Sequence, residues 1–254
     1  MKAYNKTKKQ LFILIAGMLM MSPAMAENPR DIIRQMEDNM RGDASYTEMT
    51  MEVVRPRYTR EVSMRSWSLG DDFSLLYVTA PARDEGTSFL KRGNEIWNYV
   101  PNIDRTVKMP PSMMSQSWMG SDFTNDDLVR GVSTVDDYTH KLLRTEDMDG
   151  YTCYVIEMTP KPEAPVVFEH VIYWVSQKHY LPVKVENYDE FGDLVSTMHF
   201  REFREMGGRL MPTIFEMIPH DRSGHKTIMT THKADFNVSL QEGFFSQQNM
   251  RDLR

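Results

Sequence analysis

Along most of the chain the hydrophobic positions recur every second residue. Met49, Met51 and Val53 alternate with Glu48, Thr50 and Glu52, the period of a strand with one face buried. Val62-x-Met64, Leu75-x-Tyr77 and Trp97-x-Tyr99 continue the pattern. Further alternating or β-rich runs cover Thr139–Arg144, Tyr151–Met158, Val166–Val175, Val183–Tyr188, Leu194–Phe203, Leu210–Ile218 and Thr227–Phe236. Turn-forming residues separate them: Gly70-Asp71-Asp72, Gly93-Asn94, Asp149-Gly150, Gly192-Asp193, Gly207-Gly208 and Ser223-Gly224. Roughly a dozen strands at short, regular spacing predict one large, curled antiparallel sheet. No helices of 10–15 residues alternate with them, which argues against a parallel α/β sheet.

The helical period appears first over residues 28–41. Asn28 is a good N-cap, Pro29 suits the first helical position, and Gly42 can end the helix in the left-handed conformation. Ile32, Ile33, Met36 and Met40 form one apolar stripe, predicting a helix that packs onto the sheet. The middle of the chain differs again. After Pro110-Pro111, residues 112–137 are rich in Ser, Met and Asp and poor in β-branched side chains. Two short helices are expected there, Ser112–Met119 and Thr124–Arg130. Thr124 with Asp127 three residues on makes a capping box for the second. A last short helix is expected over Ser246–Leu253. No repeat or linker divides the chain, so residues 27–254 read as one domain.

The first 26 residues change the charge picture. Lys2, Lys6, Lys8 and Lys9 precede an apolar run from Leu11 to Met21, followed by Ala24-Met25-Ala26. That order reads as a secretory signal cleaved after Ala26, and the run is too short for a membrane anchor. The expectation is a soluble exported protein without stable membrane insertion. Residues 1–26 hold four basic residues and no acidic ones, so the remainder has 26 basic against 36 acidic residues, a net charge of −10. Such a balance opposes binding to nucleic acid and passive docking on anionic membranes. The other 228 residues are enough to bury about 70% or more of the unfolded chain's surface.

Candidate chemistry is sparse. One cysteine, Cys153, makes neither an intramolecular disulfide nor a cysteine-based zinc site. Its aromatic-flanked strand suggests an inert core thiol. No G-x-S-x-G, phosphate-binding loop, H-E-x-x-H or G-x-G-x-x-G is present. His220, Asp221 and His225 could form a metal or acid–base group, yet Arg222-Ser223-Gly224 between them is the composition of a solvated hairpin. No catalytic residue, metal or cofactor is expected. Methionine stands out, with 17 in residues 27–254. This flexible, polarisable side chain suits surfaces that accept variable apolar partners. Met109, Met113, Met114 and Met119 cluster with Trp118 in the central segment.

The most distinctive stretch runs from Gly86 to Leu128. It holds Phe89, Leu90, the Gly93-Asn94 turn, Trp97, Tyr99, Pro101, Arg105 and Pro110, and then Ser117-Trp118-Met119-Gly120-Ser121-Asp122-Phe123. This run resembles the outer membrane lipoprotein-sorting family, the LolA-like superfamily of bacterial periplasmic proteins. The leader, the first helix and the order of strands agree with that family across nearly the whole chain. The resemblance implies a mainly β fold, an incomplete antiparallel β-barrel of about eleven strands with short helices as a lid over an apolar cavity. It also implies a non-enzymatic carrier of lipid or of lipoprotein acyl chains toward the outer membrane, with an inner-membrane exporter as a possible partner. In the family's lipoprotein carrier, an arginine on a strand hydrogen-bonds the lid backbone. Sequence alone does not single out Arg55, Arg57, Arg60 or Arg65 for that role.

The expected cavity and lid residues are Met51, Met64, Leu76, Phe89, Trp97, Tyr99, Met113, Trp118 and Phe123, with Gly120 as pivot. Two alternatives stay open. An envelope sensor can share the half-barrel, although such a regulator carries a second domain for which 228 residues leave little room. A hydrolase or metal enzyme would have to be built around His220, Asp221 and His225.

Overall fold

The computed structural model describes residues 27–127, 135–162, 164 and 168–253. The expected leader and residues 128–130 of the expected second short helix lie outside them. The described residues form a first meander of β1 (Ala44–Arg55), β2 (Tyr58–Leu69), β3 (Phe73–Ala80), β4 (Ser88–Arg92), β5 (Glu95–Val100) and β6 (Arg105–Lys108). A second meander comprises β7 (Tyr138–Met148), β8 (Tyr151–Pro160), β9 (His170–Ser176), β10 (Pro182–Tyr188), β11 (Leu194–Met206), β12 (Arg209–Pro219) and β13 (Lys226–Asp235). All lie in one antiparallel sheet of order β6-β5-β4-β3-β2-β1-β13-β12-β11-β10-β9-β8-β7. The sheet is an incomplete barrel with thirteen strands rather than about eleven. With four residues, β6 is too short for its sequence to reveal a period.

The two meanders join where β1 pairs with β13. Consequently β6 and β7, consecutive in sequence, sit at opposite edges of the sheet. The connector between them, residues 109–137, has to pass from one edge to the other. Met109, Met114, Trp118 and Phe123 place the described part of that segment on the concave face.

Helix α1 (Pro29–Arg41) forms as its caps dictate. The Asn28 side chain accepts a hydrogen bond from the Arg30 amide, and Gly42 ends the helix at φ +68°. Ile32, Ile33 and Met36 are buried among Val135, Tyr138, Ile156, Met158, Val171 and Val175, so α1 covers the inner face of the second meander. The connector covers the inner face of the first. Met109, Met114, Trp118 and Phe123 pack against Met51, Val53, Val62, Met64, Leu76, Val78 and Phe89. A separate cluster occupies the outer face, where Phe245 and Met250 of the C-terminal segment bury Leu75 and Leu90 beside Trp67, Trp97 and Tyr99. The short helix α2 (Asn249–Asp252) belongs to that strap, in place of the longer one expected. Among the described residues no helix is long and apolar enough to cross a membrane.

The first part of the connector is less helical than its sequence suggests, with 3-10 turns at Pro111–Met113 and Trp118–Gly120 in place of a helix over 112–119, whereas residues 125–127 are helical within the second expected helix. Met119 and Gly120 have φ of +48° and +76°, left-handed values that stop a helix. A bridge between Ser117 and Thr124 folds the segment back on itself.

The Gly207-Gly208 turn between β11 and β12 gives a test of how tightly the meander is packed. Both glycines have positive φ, +55° and +79°. A Cβ on Gly207 would come within 2.8 Å of the Ala234 carbonyl oxygen, whereas Gly208 has nothing within 4 Å. Gly208→Ala should cost about 1–2 kcal/mol from backbone strain alone. Gly207→Ala should cost clearly more, as read from urea unfolding midpoints, and equal costs would contradict this packing.

Candidate functional site

A cavity of about 410 Å³ lies on the concave face, walled by strands of both meanders and by the connector. That volume falls within the roughly 300–1,000 Å³ of small-molecule pockets. From the first meander and the connector its wall includes Met49, Leu76 and Phe123. From the second it includes Met158, Val171, Val185, Met198, Phe200, Phe215 and Met229. Polar atoms enter from Ser66, Thr124, Asp126, Asp127, Tyr138, Tyr173 and Asn187. Thr124 and Asp127 make the expected capping box. Thr124 donates its amide and hydroxyl hydrogens to Asp127 Oδ2 at 2.7 and 2.8 Å, and the Asp127 amide donates back to Thr124 Oγ1 at 3.1 Å. Burial raises the Asp127 carboxyl above the usual carboxylate range, and the Thr124 hydrogen bonds partly offset that rise.

Two arginines hold the connector down. Arg55, at the end of β1, donates to Asp122 Oδ2 and to the Gly120 carbonyl, each at 2.8 Å. Both side chains of that ion pair are shielded, 8% exposed for Arg55 and 1% for Asp122. Asp122 is further fixed by Thr227, whose hydroxyl donates to Oδ2 at 2.7 Å and accepts from the Asp122 amide at 2.9 Å. Arg60, on β2, donates to the Met119 carbonyl at 3.0 Å and pairs with Asp84 at 3.3 Å. Strand β1 thus supplies the guanidinium, β13 the hydroxyl, and the strained Met119-Gly120 turn the carbonyls.

The fixation leaves some polar atoms without hydrogen-bond partners among the described residues. Arg60 Nε, Trp118 Nε1 and Asp122 Oδ1 are buried in this way, and Asp122 Oδ1 has only the Arg222 guanidinium at 3.7 Å. Each such atom costs about 1–3 kcal/mol. The connector is therefore well located and incompletely satisfied.

The expected site residues divide by face. Leu76 and Phe123 line the cavity. Met51, Met64, Phe89 and Trp118 are buried in the same inner cluster, with Met113 packed against it. Trp118 is fully buried and stacks at a tilt on Phe89, ring centroids 5.5 Å apart. Trp97 and Tyr99 do share a face, but it is the outer one. The Gly93-Asn94 turn sets a register in which Trp97 pairs with Leu90 and Leu90 with Leu75, so Ile96 points inward instead. A shift of one residue would exchange the faces.

The other candidates have local roles. A His220 ring nitrogen lies 2.9 Å from the Thr197 hydroxyl, and Asp221 pairs with Arg222. No group of three His, Cys, Asp or Glu able to hold a metal occurs among the described residues. Cys153 is fully buried. Burial, and then the nearby Asp147, Glu146 and Asp149, push its thiol up to about 11, which disfavours a nucleophilic thiolate. Sequence reasoning left the arginines unassigned and did not find Tyr138, Tyr173, Met198 or Phe215. Their alternating strands marked one face as buried without saying which.

Three solved structures share this architecture. A putative outer membrane lipoprotein-sorting protein domain from Vibrio parahaemolyticus superposes with a TM-score of 0.79 at 24% identity, covering 88% of this chain and 98% of that one. A DUF1329 family protein from Desulfovibrio piger gives 0.81 at 24% identity, covering 87% and 97%. A LolA superfamily protein from Nitrosomonas europaea gives 0.76 at 23% identity, covering 88% and 99%. The fold is thus LolA-like. No curated protein matches the sequence. A family model described as an uncharacterized protein matches residues 70–252.

The buried ion pair generates a local prediction. Removing one partner of such a pair costs about 3 kcal/mol or more, equivalent to roughly 100-fold in an opening equilibrium. Arg55→Met should therefore speed hydrogen exchange at the Trp118, Ser121 and Asn125 amides by about that factor, while β11 and β12 keep their protection. Unchanged exchange in the connector, or equal acceleration throughout the sheet, would contradict the latch.

Proposed function

The chain belongs to the family of uncharacterized proteins whose model it matches, and from that premise we propose that it is a periplasmic, non-enzymatic carrier of lipid or lipoprotein acyl chains. The observation that carries this reading is the largely apolar cavity between the sheet and a connector latched by Arg55 and Asp122. An acyl chain in water costs about 0.8 kcal/mol for every exposed methylene. Against Met49, Met158, Met198, Met229, Phe123, Phe200 and Phe215 it meets walls as apolar as a bilayer. Transfer between membrane and protein is then nearly neutral, which suits a molecule that must both shield and release.

The roles follow from position. The connector is the lid, Gly120 its pivot, and Trp118 with Phe123 the part that swings. Met51, Met64, Leu76, Phe89 and Met113 form the apolar seat that the lid leaves as it opens. The unpartnered atoms beneath the lid reduce the free energy needed to lift it. An inner-membrane exporter would load the cargo, and a fatty chain wedged under Trp118 would be the opening signal. The similarity of fold to the Vibrio parahaemolyticus lipoprotein-sorting domain supports the same reading.

Native mass spectrometry of the protein isolated from its own periplasm, followed by organic extraction, tests it in one experiment. The expected result is a chain beginning at Glu27 that releases an acyl lipid or acylated peptide. An intact N-terminus in the membrane fraction, or periplasmic protein that neither carries an acyl species nor binds an added uncharged monoacylglycerol, would contradict it.

A further inference from the structure

The cavity draws its wall from two packed clusters. Leu76 and Phe123 belong to the one formed with the connector, where Trp118 and Met51 are fully buried. Val171 and Phe200 belong to the one formed with α1, where Ile33 and Ile156 are fully buried. Met198 and Phe215 pack against both clusters and line the cavity, which therefore sits at their junction. Close-packed interiors do not stretch, so lengthening the cavity means breaking one cluster or the other. Methionines in the wall can alter its shape without adding to its volume. The space is a bounded quantity, about 410 Å³.

A methylene takes up roughly the volume of a water molecule, about 30 Å³, so this cavity holds about 14 of them. We propose that it is a gauge for a single acyl chain, and that with the connector latched the cargo is a monoacyl amphiphile whose chain of about 14 carbons fills it. This rests on the carrier reading above and narrows its ligand class. A diacyl or triacyl anchor with chains of that length needs two or three times the space, which the latched connector does not leave. A shorter chain leaves part of the wall facing empty volume and forfeits the contacts there. A longer chain keeps its extra methylenes in water, where they add nothing to binding.

A series of saturated monoacylglycerols, from octanoyl to eicosanoyl, reads the gauge on the unmodified protein. Affinities are measured by displacement of phenylnaphthylamine fluorescence, with free monomer concentrations fixed by a cyclodextrin buffer. Affinity should rise about fourfold with each added methylene and stop rising at about 14 carbons. A diacylglycerol with two tetradecanoyl chains should bind no tighter than the tetradecanoyl monoacylglycerol. Phe215→Ala removes a ring from the junction and should move the break about four carbons longer. Met198→Trp adds bulk at the same place and should move it about two carbons shorter. Either shift suffices, so a variant that fails to fold leaves the other to decide. Affinity that climbs without a break to the eicosanoyl ester, or a diacylglycerol that gains from its second chain, would overturn the gauge and leave the carrier reading standing. A break that neither variant moves would also overturn it, because the limit would then lie outside this cavity. If no member of the series binds, the carrier reading itself fails.

Discussion

A sheet of thirteen strands that does not close must have its concave face covered by other parts of the chain, and most of this structure follows from that constraint. The strand order puts β6 and β7 at opposite edges, so the residues linking them cannot avoid crossing the opening. Helix α1 covers one half of the face and the connector the other. The cavity lies on the same face, walled by strands of both meanders and by the connector. The outer face solves the same problem differently. There the C-terminal strap brings Phe245 and Met250 onto Leu75 and Leu90, a permanent cover with both side chains fully buried.

The connector and the strap differ in how they are held. The strap relies on apolar burial, which is non-directional. The connector adds a shielded ion pair, and a pair of that kind contributes more to position than to stability. Its desolvation offsets most of its attraction, yet losing one partner leaves a buried charge. Arg55 with Asp122 therefore defines one closed arrangement sharply. The left-handed Met119 and the unpartnered Trp118 Nε1 work against that arrangement. A cover that is well placed, strained and partly unsatisfied is what a reversible closure needs.

Much of the architecture was legible in the sequence because it depends on local period and turn chemistry. Asn28, Pro29 and Gly42 bound α1 where expected, and the turn glycines separate the strands. The central segment could be recognised as different from its composition. What could not be read was which face of a strand looks inward, because alternation is symmetric until a neighbour fixes the register. Trp97 and Tyr99 were expected in the cavity wall, while the pairing through Leu90 turns them outward. The latch was equally hidden. Arg55 and Asp122 are 67 residues apart, and Arg55 is one of several arginines around the β1–β2 turn. The capping pair of Thr124 with Asp127 was legible from its spacing, whereas the place of both residues in the cavity wall was not.

The apolar interior and the aromatic outer face are, among the described residues, alternative places for a fatty chain, and crystallography with a terminally brominated monoacylglycerol distinguishes them most directly. The account predicts an anomalous bromine peak inside the cavity, in contact with the wall formed by Met198, Phe200 and Phe215. A peak beside Trp97 and Phe244 on the outer face, or no ordered bromine at saturating ligand, would contradict it.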